Sequence, residues 1–261
     1  MKELYCEKSY RGKNSFSECY YKDSTKQELH REDGPANIFY YSNGNVENEE
    51  YYKYGVRHRE DGPAKIEYYS NGNVENEEYY KDGVLHRENG PAITHYYENG
   101  NKKYDEYFIE GKLHREDGPA RIWYREDGIK DYEEYFKNGK RHRIDGPTVT
   151  RYYKNGNKIY EVYYINGRQH RKNGPARVQY YENGNIEYVA YLKHGLYHRE
   201  DGPARVQYYP NGNKKYEEYY QDGEPHREGC SSILKYNEDG SIKYEAYYKE
   251  GELYKEVYLN K

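Results

Sequence analysis

One spacing constrains this chain more than any other feature. The dipeptide His-Arg begins at His30, His58, His86, His114, His142, His170, His198 and His226, at a constant interval of 28 residues. Most copies open a longer phrase, written His-Arg-Glu-Asp-Gly-Pro-Ala at His30–Ala36, His58–Ala64, His114–Ala120 and His198–Ala204. A fixed period of this length marks a repeat array, in which each unit completes its core only against its neighbours.

Within the period, glycine supplies the punctuation. Gly44, Gly72 and Gly100 begin one column, Gly55, Gly83 and Gly111 a second, and Gly34, Gly62 and Gly90 a third. Glycine adopts positive φ without steric cost, so evenly spaced glycines mark turns. Between them the pattern alternates with a period of two. Ala64, Ile66 and Tyr68 share one face of a strand, and Lys65 and Glu67 share the other. Asn71-Gly72-Asn73 is a hairpin signal, and the return strand runs through Glu77-Glu78-Tyr79-Tyr80 to a turn at Asp82-Gly83. No stretch carries a helical period. The expected fold is all-β: an elongated, single-sheet antiparallel β-meander of about eight 28-residue hairpin units. At two strand spacings per unit it would be roughly 75–80 Å long. Residues 1–29 read as a degenerate N-terminal capping unit, 30–225 as regular repeats, and 226–261 as a degenerate last unit with a C-terminal cap at Leu253–Leu259.

Composition matters here because it argues against a conventional core. Mean hydropathy is -1.47 and 34% of residues are charged, a polarity that would by itself suggest disorder. Against that stand 41 tyrosines at fixed places in the period, so the expected core is aromatic. The column through Ile38 is mostly β-branched, as a packed strand face favours. The column through Tyr52 accepts Phe108, Phe136 and Leu192, and so reads as apolar and buried. The columns through Tyr40 and Tyr51 are tyrosine in every unit. Both hydroxyls are expected to bond the next unit's backbone.

The His-Arg ladder is the obvious candidate for chemistry. Equivalent residues two strands apart stand about 9–10 Å from each other, too far to share a metal that each ligand must reach at about 2 Å. The Glu32 position becomes Ile144 and Lys172, and the Asp33 position becomes Asn89 and Asn173. Asp and Asn can both cap a turn, but only Asp can act as a base. The phrase therefore reads as a repeat joint with a fold-internal hydrogen bond. No catalytic triad, phosphate loop or zinc spacing is present. Neither an enzyme nor a cofactor or metal site is expected.

The net charge of -4 is interspersed, which argues against nucleic acid and gives no support to membrane association. Three cysteines suit a reducing compartment, and Met1-Lys2-Glu3-Leu4-Tyr5 lacks the apolar run of a leader. A cytoplasmic monomer is expected. One column varies freely: Phe39, Glu67, His95, Trp123, Arg151, Gln179, Gln207 and Lys235. Trp and Arg are frequent interface anchors, so Tyr97, Trp123, Arg151 and Tyr153 are the candidate residues for binding a protein partner.

The stretch Tyr104-Asp105-Glu106-Tyr107-Phe108-Ile109-Glu110-Gly111-Lys112-Leu113-His114, with Gly118 and Tyr124 beyond it, resembles the MORN repeat. The nearest likeness is to the bacterial variant found in antitoxin and immunity-like proteins. Arrays of this His-Arg-x-Asp-Gly-Pro type are also similar to those of large DNA viruses. Glu106 stands where the family has glycine, and Arg-Glu-Asp-Gly-Pro lengthens the loop. The resemblance implies a non-enzymatic scaffold for protein–protein interaction, immunity-like or directed at a host factor. The alternative is glycan, phospholipid or single-stranded nucleic-acid binding through exposed aromatic rows.

Overall fold

The computed structural model describes residues 5–11, 15–249 and 251–259. Residues 1–4 of the N-terminus, on which the expectation about a leader rests, lie outside them. The chain divides into two compact units, one built from 1–130 with 136–139, the other from 131–135 with 140–261. Among the described residues all regular structure is strand.

Each unit is an antiparallel meander. In the first, Tyr5–Arg11 pairs with Ser15–Tyr21, which pairs with Asn37–Tyr40 and onward through Val46–Glu50, Lys65–Tyr68, Val74–Glu78, Ile93–Tyr96, Lys102–Glu106 and Arg121–Tyr124. In the second, Tyr132–Glu134 pairs with Val149–Tyr152, and the meander continues to Ile242–Lys249 and Glu252–Tyr258.

Two different turns join the strands, for different reasons. At Asn71-Gly72-Asn73 only Gly72 takes positive φ, the Asn73 amide donates to the Asn71 side chain, and the register slips between Glu67 and Tyr68. This is a turn closed by a glycine bulge. The Asn73 side chain then donates to the Glu98 carbonyl in the next hairpin. The second turn stands at Asp82-Gly83, as expected, but it closes a short ribbon of its own. The return strand breaks at Tyr79, whose amide donates to the Ala92 carbonyl. Tyr80–Lys81 then forms a two-residue ribbon with Val84–Leu85. Its turn, Asp82-Gly83, has positive φ at both positions, as a two-residue hairpin of matching twist requires.

The core is thin and shared between neighbouring hairpins. Ala36, Ala64, Ala92, Ala120, Ala176 and Ala204 are wholly buried, and the first three are bonded by their backbones to the strands on either side, as Ala64 is to Glu78 and Tyr51. The Ile38 column lies beside them, mostly buried and mostly paired across the strand with acidic residues: Ile66 with Glu77, Thr94 with Asp105, Val206 with Glu217. These carboxylates correct the expectation for the Tyr40 column. Its hydroxyls do not bond the next unit's backbone. They donate backwards to carboxylates: Tyr68 to Glu49 at 3.0 Å, Tyr96 to Glu77 at 2.9 Å, Tyr180 to Glu161 at 2.7 Å and Tyr236 to Glu217 at 2.6 Å. The bond to the next backbone comes instead from the neighbouring column, in which Tyr41, Tyr69, Tyr181 and Tyr209 donate to the carbonyls of Tyr68, Tyr96, Tyr208 and Tyr236.

Burial and the adjacent carboxylate raise the phenol pKa along the Tyr40 column, to about 12 at Tyr124 and well above the ordinary value at Tyr96 and Tyr180. A phenol raised in the folded state contributes stability that is whole below its unfolded value and is lost as pH climbs through the folded one. The urea midpoint should therefore hold level to roughly pH 10 and fall steeply above it. Phenolate absorbance at 295 nm should rise together with loss of the β-sheet circular dichroism. Complete phenolate formation with the sheet signal intact would contradict the assignment.

Candidate functional site

The His-Arg phrase forms a joint between one ribbon and the next. His58 Nδ1 accepts from the amide of Asp82 at 3.1 Å, His86 from Glu110 at 3.2 Å, His114 from Asn138 at 3.1 Å and His142 from Asn166 at 3.2 Å. His30, His170 and His198 repeat the bond to Tyr54, His194 and Asp222. In every case the donor is the first residue of a ribbon turn, held at positive φ. That conformation costs a non-glycine residue roughly 1–2 kcal/mol, and the imidazole offsets part of the cost. The bond needs the Nε2–H tautomer, and where a glutamate stands two residues on, Nε2 faces it, at 3.2 Å between His114 and Glu116. At His58 and His198 a second acid, Asp82 or Asp222, also lies within 3.0 Å of Nδ1. The amide bond is the arrangement common to all these repeats, so we take it as the structural one.

The arginine does different work. Arg59 Cζ lies 3.9 Å over the Tyr51 ring, Arg87 3.7 Å over Tyr79, and Arg227 3.9 Å over Tyr219. The Tyr51 column thus serves as a platform for arginine, which corrects the expectation that its hydroxyl bonds the next unit. Arg31 reaches Tyr20, eleven residues back rather than eight, across the extra residues that precede His30. The guanidinium also donates through Nε to the aspartate two residues on and through an Nη to the proline carbonyl, as Arg59 does to Asp61 at 2.9 Å and Pro63 at 3.4 Å. Arg31 holds the Asp33 carboxyl below its ordinary pKa, and Arg59 does the same to Asp61. A Cβ added at Gly62 would stand 3.0 Å from Arg59 Cζ. The glycine of the phrase is there to let the guanidinium lie flat between it and a tyrosine.

Where Asn89 and Asn173 replace aspartate, Arg87 and Arg171 keep only the proline carbonyl, at 3.0 and 3.3 Å. In those two loops alone the glycine, Gly90 or Gly174, swings to positive φ. The Asp–Asn interchange therefore alters the loop rather than leaving its capping unchanged.

The candidate binding residues divide between the two compact units. In the first, Trp123 is 49% exposed and pairs across the strands with Tyr104. The indole stacks on Tyr104 at 5.9 Å, and Tyr104 stacks on His95 at 5.2 Å. Tyr97 is half-buried, with its hydroxyl donating to the Tyr124 carbonyl. In the second unit, Arg151 is exposed, 3.6 Å from Asp131 and paired across the strands with Tyr132 and Tyr160. Tyr153 donates to the Tyr180 carbonyl. Tyr97 and Tyr153 thus tie hairpins together. Tyr104 was missed as a site residue because its own column (Asn48, Asn76, Tyr104, Tyr132, Tyr160, Tyr188, Tyr216, Tyr244) was not set beside the variable one.

Among the described residues, no group of three His, Cys, Asp or Glu side chains is arranged to hold a metal, and no helix is long and apolar enough to cross a membrane. The MORN repeat variant matches residues 65–82, 148–166, 176–194 and 204–228. The chain carries MORN-type repeats. Each matched segment begins at or beside the buried small residue of a hairpin, and most reach the ribbon turn, so the MORN period coincides with the hairpin period of the structure. No curated protein matches the sequence.

The Gly62→Ala variant should destabilise the protein by about 1–3 kcal/mol, the usual cost of forcing atoms into a packed site, while Gly72→Ala meets no neighbour and pays only for its φ. Chemical denaturation compares the two. Equal or smaller loss at Gly62 would show that the guanidinium is not packed there.

Proposed function

We propose that this MORN-type array is a non-enzymatic scaffold that binds a protein partner through its variable row. The supporting observation is the His95–Tyr104–Trp123 stack, in which the outermost ring is half exposed although it sits in an ordered ladder. Interface anchors are enriched in Trp, Tyr and Arg, and this column is where the repeats differ most. In the second unit, Arg151 occupies the same column of the repeat. Tyr97 and Tyr153 support the strands beneath rather than contact the partner directly. The joint is occupied with internal bonds, which leaves its His-Arg pairs without a catalytic assignment. Neutralising a toxin, as the resemblance to immunity-like arrays implies, or engaging a host factor are two forms of this reading. Binding of a glycan, lipid or nucleic acid would be the outcome if no protein is captured.

The test is quantitative capture from native-host extract on immobilised protein, comparing the wild-type chain with Trp123→Ala. Replacing an exposed ring should leave the melting temperature nearly unchanged and weaken the captured partner about tenfold or more. Undiminished capture by the alanine variant would refute the role given to Trp123.

A further inference from the structure

Successive loops of the joint border open clefts, and the repeats make those clefts directly comparable. The cleft between the loops at His58 and His86 has a volume of 550 Å3. Its Arg59, Lys81 and Arg87 balance Glu60, Asp61 and Glu88. The cleft between His30 and His58 and the one between Arg199 and His226 each carry one more acid than base. The cleft between His170 and His198 is different. It is larger, at 790 Å3, and sets Arg171, Lys172, Lys193 and Arg199 against Glu200 and Asp201 alone, a surplus of two positive charges.

The surplus arises from two substitutions in one loop. Lys172 stands where most loops have glutamate, and Asn173 where most have aspartate. Among the described residues Arg171 consequently has no carboxylate partner. Its guanidinium stays fixed over Tyr163 at 4.0 Å and donates to Pro175. Lys172 and Lys193 are exposed. The adjoining ribbon turn adds His194, whose ring stacks on His170 at 4.8 Å and 6°. Burial, His194 and Lys193 together lower the His170 pKa. Cations are thus gathered without the counter-charge that the sister clefts contain.

We propose that the cleft between the His170 and His198 loops binds a phosphate-bearing anion, held by Arg171, Lys172 and Lys193. A fixed, planar guanidinium with two mobile ammonium groups beside it suits an oxyanion of more than one charge. The volume fits a small phosphorylated molecule rather than a bare ion. His198, Arg199, Glu200 and Asp201 face the same space from the opposite loop, and Arg199 is already engaged by Asp201 at 2.8 Å. This site is independent of the Trp123 row.

The test uses inorganic pyrophosphate in calorimetric titration against the full chain and the double variant Lys172→Glu/Asn173→Asp. That variant writes into the loop the phrase already used at His114–Gly118, so the fold should be retained, which thermal melting verifies. Saturable binding is expected, weakened about tenfold or more in the double variant. Vesicles carrying phosphatidic acid separate the sources. Binding that pyrophosphate displaces and the double variant loses would place the phosphate on a lipid. Pyrophosphate binding without vesicle binding would place it on a soluble ligand. Absence of saturable pyrophosphate binding, or equal binding by the double variant, overturns the proposal.

Discussion

The hydrogen bond from a ribbon-turn amide to the imidazole of the preceding repeat is the interaction on which the rest of this structure depends. A two-residue ribbon is far too short to be stable alone, and its turn places a non-glycine residue at positive φ. Both turn amides are satisfied by the repeat before: the Asp82 amide by His58 Nδ1 and the Gly83 amide by the Arg57 carbonyl. Each ribbon therefore exists because its predecessor is in place, which is nearest-neighbour coupling of the kind that makes repeat arrays cooperative. Arginine secures the other side of the same loop, packed between a tyrosine ring and a glycine that has no Cβ to exclude it.

Around that joint, a polar sequence builds an ordered sheet by pairing its polar groups internally. Buried carboxylates such as Asp105 and Glu161 meet a tyrosine hydroxyl from the next hairpin and a lysine from their own strand. A buried charge left without partners would cost several kcal/mol; here each carboxylate has more than one. On the other face, Glu50 receives Arg57 and Glu134 receives Arg141 from the ribbons. Little aliphatic surface is needed once the alanine column allows close approach of neighbouring hairpins.

Much of this was legible from the sequence. Period, glycine columns and alternation led directly to antiparallel hairpins, and spacing alone removed the His-Arg ladder from consideration as a shared metal site. Partner assignment was harder. Tyr40 and Tyr51 are invariant, which showed that their side chains are used, but invariance does not reveal direction. One column points back to a carboxylate, and the other lies beneath arginine. The ribbon was hidden because Val84–Leu85 is too short for periodicity to register. In the candidate row, free variation singled out Trp123 and Arg151 as proposals, whereas Tyr97 and Tyr153 belong to an inter-hairpin bond whose partner is a backbone carbonyl, invisible to side-chain patterns. The asparagine in two of the loops looked conservative and instead releases an arginine from its acid.

The shared phrase carries the architecture, and the departures from the repeat are where function is proposed. The most direct test of that division is a trans-hydrogen-bond scalar-coupling experiment on uniformly 15N-labelled protein, correlating backbone amide nitrogens with imidazole nitrogens. Cross-peaks should link Glu110 to His86 Nδ1, Asn138 to His114 Nδ1 and Asn166 to His142 Nδ1, repeats in which no acid competes for that nitrogen. Imidazoles that show no such coupling and carry a proton on Nδ1 would contradict the account and return the His-Arg ladder to the list of groups available for chemistry.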